Sequence, residues 1–101
     1  MTTYIITRHP ATVQYLQEVL NVSACVITHA DDSFFSGLTP EDEVIGILPA
    51  PLMAQVCSRT KKPFGHFEIS LPPDLRGKEL SLEDLKKLQP RIVRYVVALA
   101  T

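Results

Sequence analysis

Two short apolar runs in this chain each end on a turn from which a proline opens a helix, and this pairing restricts the fold more than any other feature. Tyr4-Ile5-Ile6-Thr7 is β-prone and halts at Arg8-His9-Pro10. Val44-Ile45-Gly46-Ile47-Leu48 is nearly continuous in apolar character and halts at Pro49-Ala50-Pro51. Proline suits the first turn of a helix because its missing N–H would have had no intrahelical partner there. A strand without polar alternation is one covered on both faces, as in a parallel sheet. Two such strand–turn–helix units predict an α/β domain.

The remaining segments fill in that frame. Val13, Leu16 and Leu20 recur at spacings of three and four, which predicts an amphipathic helix over residues 10–20. A second buried strand is expected over 23–28, around Cys25-Val26-Ile27, followed by a loop over 29–42 containing Asp31-Asp32, Gly37 and Pro40. On the helix after Pro49, Leu52, Met53 and Val56 form the inner face, and Arg59, Lys61 and Lys62 mark its negative end. From Phe64 to Leu71 polar His66, Glu68 and Ser70 alternate with Phe67, Ile69 and Leu71, which predicts a strand near a sheet edge or under a subunit interface. Ser81 is placed to cap a helix whose first turn carries Glu83 and Asp84. Leu85, Leu88, Ile92, Val96 and Leu99 keep helical spacing, so helix is expected to the C-terminus, broken at Pro90; the β-branched stretch 92–97 makes a final strand the alternative. The order of elements predicts one domain over 1–101, an open three-layer Rossmann-like sheet, mainly parallel, of about four to five strands.

Charge and cysteine content narrow the function classes. Ten Lys+Arg stand against 11 Asp+Glu, so the strong basic excess of a duplex-DNA binder is missing and any anionic ligand must be held by a local cluster. No apolar run approaches the roughly 20 residues that span a bilayer. The first residues lack the basic flank and cleavage site of a signal peptide, which predicts a cytoplasmic protein. Cys25 and Cys57 fall in predicted core elements and are expected to be buried thiols. The histidines and cysteines have no zinc-type spacing, so neither a metal nor another cofactor is expected.

In open parallel sheets, ligands bind beyond the carboxyl ends of the strands, where neighbouring connections leave in opposite directions. With the first and third strands adjacent, the Thr7-Arg8-His9-Pro10 and Pro49-Ala50 turns flank that crevice, each leading into a helix amino-terminus that favours phosphate. Thr28 and His29 end the second strand on the same side, as do Ser70 and the loop carrying Arg76 and Lys78. Arg8 offers a planar fork of donors to phosphate oxygens, and a histidine such as His9 can move a proton near neutral pH. The bland alternative is that Arg8 pairs with an acidic loop and His9 only caps the turn. Arg59, Lys61 and Lys62 lie at the opposite edge, as a solvated helix end. Thr7-Arg8-His9 is also similar to the Arg-His-Gly turn of histidine phosphatases, but Pro10 stands in place of the glycine.

Three segments together carry a more specific resemblance. Ile6 to Pro10, Asp42 to Pro49 and Leu71 to Ser81 resemble a small stand-alone CRISPR-associated accessory family of type III systems, over nearly the whole chain. The resemblance implies a homodimer of a Rossmann-like domain related to the sensor domains of CRISPR effectors (CARF-related). It further implies binding of cyclic oligoadenylate, foremost cyclic tetra-adenylate, and a metal-independent ring nuclease that linearises this messenger. Attack of a ribose 2′-hydroxyl on the adjacent phosphorus would yield a 2′,3′-cyclic phosphate. Arg8 and His9 are then the candidate catalytic pair. Thr7, Pro10, Thr28, His29, Pro49, Ala50, Ser70, Arg76 and Lys78 are the candidate ligand contacts. A binder that sequesters the messenger without cleaving it, and a protein-interaction module docking on a CRISPR complex, remain the alternatives.

Overall fold

The computed structural model describes residues 2–18, 21 and 23–100. Its elements run β1 (Thr2–Ile6), α1 (Pro10–Glu18), β2 (Cys25–Ile27), α2 (Asp32–Ser36), β3 (Asp42–Gly46), α3 (Ala50–Thr60), β4 (Phe64–Glu68), a 3-10 turn at Pro73–Leu75, α4 (Leu82–Leu88) and β5 (Arg91–Tyr95). The five strands form one sheet in the order β2-β1-β3-β4-β5. The first four are parallel and β5 is antiparallel to β4. This is the mainly parallel Rossmann-like sheet that the strand–proline–helix units predict.

Side chains alternate across a strand, and both faces of this sheet are buried. Ile6, Val44, Leu48 and Phe64 point to the side of α2 and α3, where they pack with Phe35, Leu38, Val56 and Cys57. Ile5, Ile45 and Phe67 point to the side of α1 and α4, against Tyr15, Leu16, Leu80 and Leu85. The adjacent pairs Ile5/Ile6 and Val44/Ile45 thus feed two different cores, which explains why β1 and β3 lack polar alternation. Thr12, Tyr15 and Leu16 are the buried residues of α1; Leu20, expected on the same face, lies outside the described residues.

Connections from β1 and β3 leave the sheet on opposite faces. α1 covers one side on its way to β2, and α3 covers the other on its way to β4. The ends of β1 and β3 therefore flank a topological switch point, where a crevice opens. Gly46 holds those ends together. It is paired with Ile6 at φ 155°, and a Cβ there would lie 2.3 Å from the Ile6 carbonyl oxygen. No side chain fits.

Three expectations are corrected. The segment after Pro90 is strand β5, not helix. α4 ends at Gln89 in the left-handed region (φ 52°), and Pro90 then directs the chain into the sheet, where Ile92 packs on the α1/α4 core. β4 lies near the sheet edge, as its alternation predicts, one strand in from the β5 border. Its polar residues His66 and Glu68 face the β5 side chain Tyr95, with the His66 and Tyr95 rings edge to face at 5.8 Å and the Tyr95 hydroxyl 3.4 Å from Glu68. The expected loop over 29–42 contains α2, whose N-cap Asp31 accepts a hydrogen bond from the Phe34 N–H. That short turn sends Phe35 and Leu38 into the core. Finally, Cys25 is exposed, because β2 is a three-residue border strand; only Cys57 is buried.

Candidate functional site

The switch-point crevice is built from chain ends in register. Ile6 pairs with Gly46 and with Ile27, so residues 7–8, 28–29 and 47–48 leave the sheet side by side. Arg8 and Pro49 accordingly lie at one edge of the sheet, as the topology requires for a shared site.

Arg8 is exposed but anchored. Its Nε donates to the Thr28 carbonyl at 3.3 Å, and its Nη2 lies 3.4 Å from His29 Nδ1, which accepts when its proton is on Nε2. These contacts turn the guanidinium toward β2 and leave further donors of the fork free. Thr7 Oγ1 accepts from the His9 N–H at 3.1 Å, closing the turn. The His9 carbonyl accepts from the Thr12 and Val13 amides at 3.1 and 3.2 Å, making His9 the N-cap of α1 through its backbone. Its imidazole takes no part in that cap.

The prolines thin out the helix amino-termini. In α1, Pro10 has no N–H and Thr12 is bonded to His9, which leaves Ala11. In α3, Pro49 is the N-cap, Pro51 has no N–H, and Leu52 is bonded to the Pro49 carbonyl at 3.0 Å, which leaves Ala50. Each helix thus offers one early amide plus its positive dipole end, and charge must come from side chains.

Two cavities open here, and Arg8 and Ile47 line both. The smaller, about 390 Å³, is bounded by Thr7, Thr28, His29, Leu48 and Leu52. The larger, about 580 Å³, lies toward β4 and takes in His9, Pro10, Ile69, Leu71, Lys78 and Glu79. Of the residues expected at the site, Thr7, Arg8, Thr28 and His29 meet in the first, and Arg8, His9, Pro10 and Lys78 in the second. Ser70 and Arg76 line neither, although their neighbours Ile69, Leu71 and Gly77 line the second. Pro49 and Ala50 contribute the helix start but not the cavity wall. Sequence reasoning missed Ile47, Leu48 and Leu52, which carry no chemical signature. The one available signal was position, immediately after Gly46.

A third cavity, about 780 Å³, runs between α3 and the segment Val96–Leu99, lined by Cys57, Arg59 and Lys61 among others. It shares no residue with the crevice. Arg59 and Lys61 belong there, as the topology predicts, and Lys62 Nζ donates to the Asp42 carbonyl at 3.2 Å. No helix among the described residues is long and apolar enough to cross a membrane.

Comparison with known proteins gives one finding. A sequence-family model described as "Putative CRISPR-associated protein (Cas_VVA1548)" matches residues 4–98. No curated protein and no solved structure matches.

Proposed function

The chain belongs to this family of CRISPR-associated proteins, and from that premise we propose that it is a ring nuclease that binds and linearises cyclic tetra-adenylate. The observation that carries the reading is Arg8, an exposed guanidinium fixed by Thr28 and His29 between two cavities at the switch point. An arginine held by backbone and imidazole, with donors to spare, is suited to a phosphodiester. The flanking cavities leave room for the nucleosides on either side of it.

In the proposed reaction a ribose 2′-oxygen attacks the adjacent phosphorus, the bond from phosphorus to the 5′-oxygen breaks, and a 2′,3′-cyclic phosphate and a 5′-hydroxyl result. The proton lost by the 2′-hydroxyl must be accepted and one must be delivered to the departing 5′-oxygen. Arg8 neutralises the phosphoryl oxygens as charge builds, assisted by the Ala11 and Ala50 amides. The imidazole of His9, next to Arg8 and on the wall of the larger cavity, is the group for proton transfer, a role typically worth ~10²–10⁴-fold. Thr7 is committed to the turn through its Oγ1 and acts by shaping it. A second copy of the chain would present an identical crevice to a ligand of two-fold symmetry.

The test is direct. Purified protein is incubated with labelled cyclic tetra-adenylate in chelator under single-turnover conditions, and its melting temperature is followed as the ring is added. Linear product with a 2′,3′-cyclic phosphate and a raised melting temperature are expected, since a ligand bound only by the native state stabilises it. A raised melting temperature with an intact ring means a messenger-sequestering binder. No shift at all overturns the reading in favour of a protein-docking module.

A further inference from the structure

We infer that the cavity between His9 and Leu71 is a nucleobase pocket in which Glu79 accepts a hydrogen bond from the exocyclic amine of the base. The inference rests on the proposed ring-binding reading and assigns its base specificity.

A phosphate does not belong in this cavity. Its floor is core side chain, with Phe67 2% exposed and Leu80 8%, and its walls are Ile69, Leu71 and Ile47. Ile47 is 54% exposed, an apolar residue that lines both cavities. Apolar walls with a few polar groups at the rim are what a flat heterocycle requires: its faces seek apolar contact and its edge seeks hydrogen bonds. The rim divides accordingly. Arg8 and Lys78 favour an anion, whereas Glu79, the single carboxylate among the described lining residues, repels one. An ionised carboxylate only accepts hydrogen bonds, so the partner it selects is a donor such as the 6-amino group of adenine; a purine without that group offers it no donor there. With phosphate on Arg8, the base attached to that nucleotide reaches the cavity Arg8 borders.

The experiment titrates the protein calorimetrically with two uncleavable rings, 2′-deoxy cyclic tetra-adenylate and the same ring built on unsubstituted purine. They share their phosphates and differ at position 6 of the base. The adenylate ring is expected to bind about tenfold tighter or more, the size of a hydrogen bond to a charged group. Glu79→Lys, a change at an exposed residue, should abolish the preference. Ile47→Ala should weaken both rings by a similar factor. Equal affinities in the unaltered protein, or a ratio that Glu79→Lys leaves unmoved, would overturn the inference while leaving ring binding intact. Binding of neither ring would overturn the functional reading itself and this inference with it.

Discussion

The guanidinium of Arg94 on β5 reaches across the whole width of β4 to meet the carboxylate of Glu43 on β3, Nη1 to Oε1 at 2.9 Å. It passes over Gly65, where a Cβ would stand 3.0 Å from Ile45 Cγ1, 3.2 Å from Ile92 Cγ2 and 3.5 Å from Arg94 Nη1. The glycine is thus the space through which a border strand is tied to the sheet centre. Gly65→Val should destabilise the domain by about 1–3 kcal/mol through overpacking. Arg94→Ala should cost less than about 1 kcal/mol, because its side chain is 51% exposed and the pair is screened by water. Urea denaturation of both variants checks the order. An equal or larger loss from Arg94→Ala would mean that the ion pair, not the packing, anchors β5.

Gly46 sits closer to function. Its missing Cβ lets β3 approach the Ile6 carbonyl, two residues before Arg8. Gly46→Ala should therefore destabilise by at least about 2 kcal/mol, combining overlap with an unfavourable φ. Ring affinity should fall as well, because the strand ends carrying Arg8 and Ile47 must separate. Calorimetry on the folded fraction measures the second effect independently of the first.

Arg8 and His9 should separate by kinetic class. Arg8→Ala should weaken ring binding by about 1.5–3 kcal/mol, the range for a charge-assisted hydrogen bond. Arg8→Lys should recover only part of it, since an ammonium lacks the fork that holds Thr28, His29 and phosphate together. His9→Ala should slow single-turnover cleavage by ~10²–10⁴-fold with binding nearly kept, because its cap is made by backbone. Equal losses of binding and cleavage in His9→Ala would assign it to positioning.

Acid should loosen α4 first. The Ser81 backbone N–H and hydroxyl, joined with Asp84 in a capping box, hold the Asp84 carboxyl below its usual range. A carboxyl whose folded value is depressed contributes stability above its unfolded value and loses it as pH falls through the folded one. Asp84→Asn should therefore lower stability near neutral pH, and its stability curve should meet that of the unaltered protein below about pH 4, where the carboxyl is protonated. An identical acid limb in the variant would rule the cap out as the source.

The two thiols should react on different timescales. Cys25 is exposed on β2, while Cys57 is buried with its Sγ 3.7 Å from the Tyr95 carbonyl oxygen and 3.5 Å from the Val97 nitrogen. A thiol reagent should modify one cysteine quickly, and the second only as the chain opens. Mass mapping identifies which.

Much of this was readable from the chain because local and tertiary signals agree in β1–α1 and β3–α3. An apolar run, a turn and a proline each specify the same unit, and their order fixes where the crevice opens. The C-terminal segment was not readable, because Ile92, Val96 and Leu99 satisfy helical spacing while Ile92 and Val93 are equally suited to a half-covered strand. Only pairing with β4 decides between them. Cys25 misled for a related reason: an apolar triplet does not reveal that its strand has a neighbour on one side only. At the site, Arg8 and His9 announced themselves by charge and position. Ile47 and Glu79 acquire meaning only once residues 47, 69, 71 and 79 line one cavity.

The place of β5 at the border of the sheet limits how two copies could cooperate through it. A partner added to that border by a two-fold axis normal to the sheet would have its parallel strands running the opposite way, and its mouth would open at the far end of the assembly. Such a pair would be one long ribbon with outlets pointing apart, unable to close on a single ring. Under the proposed function, two copies sharing one ring would have to be joined by a contact that brings both Arg8 ends to it, which a pairing of this kind does not do.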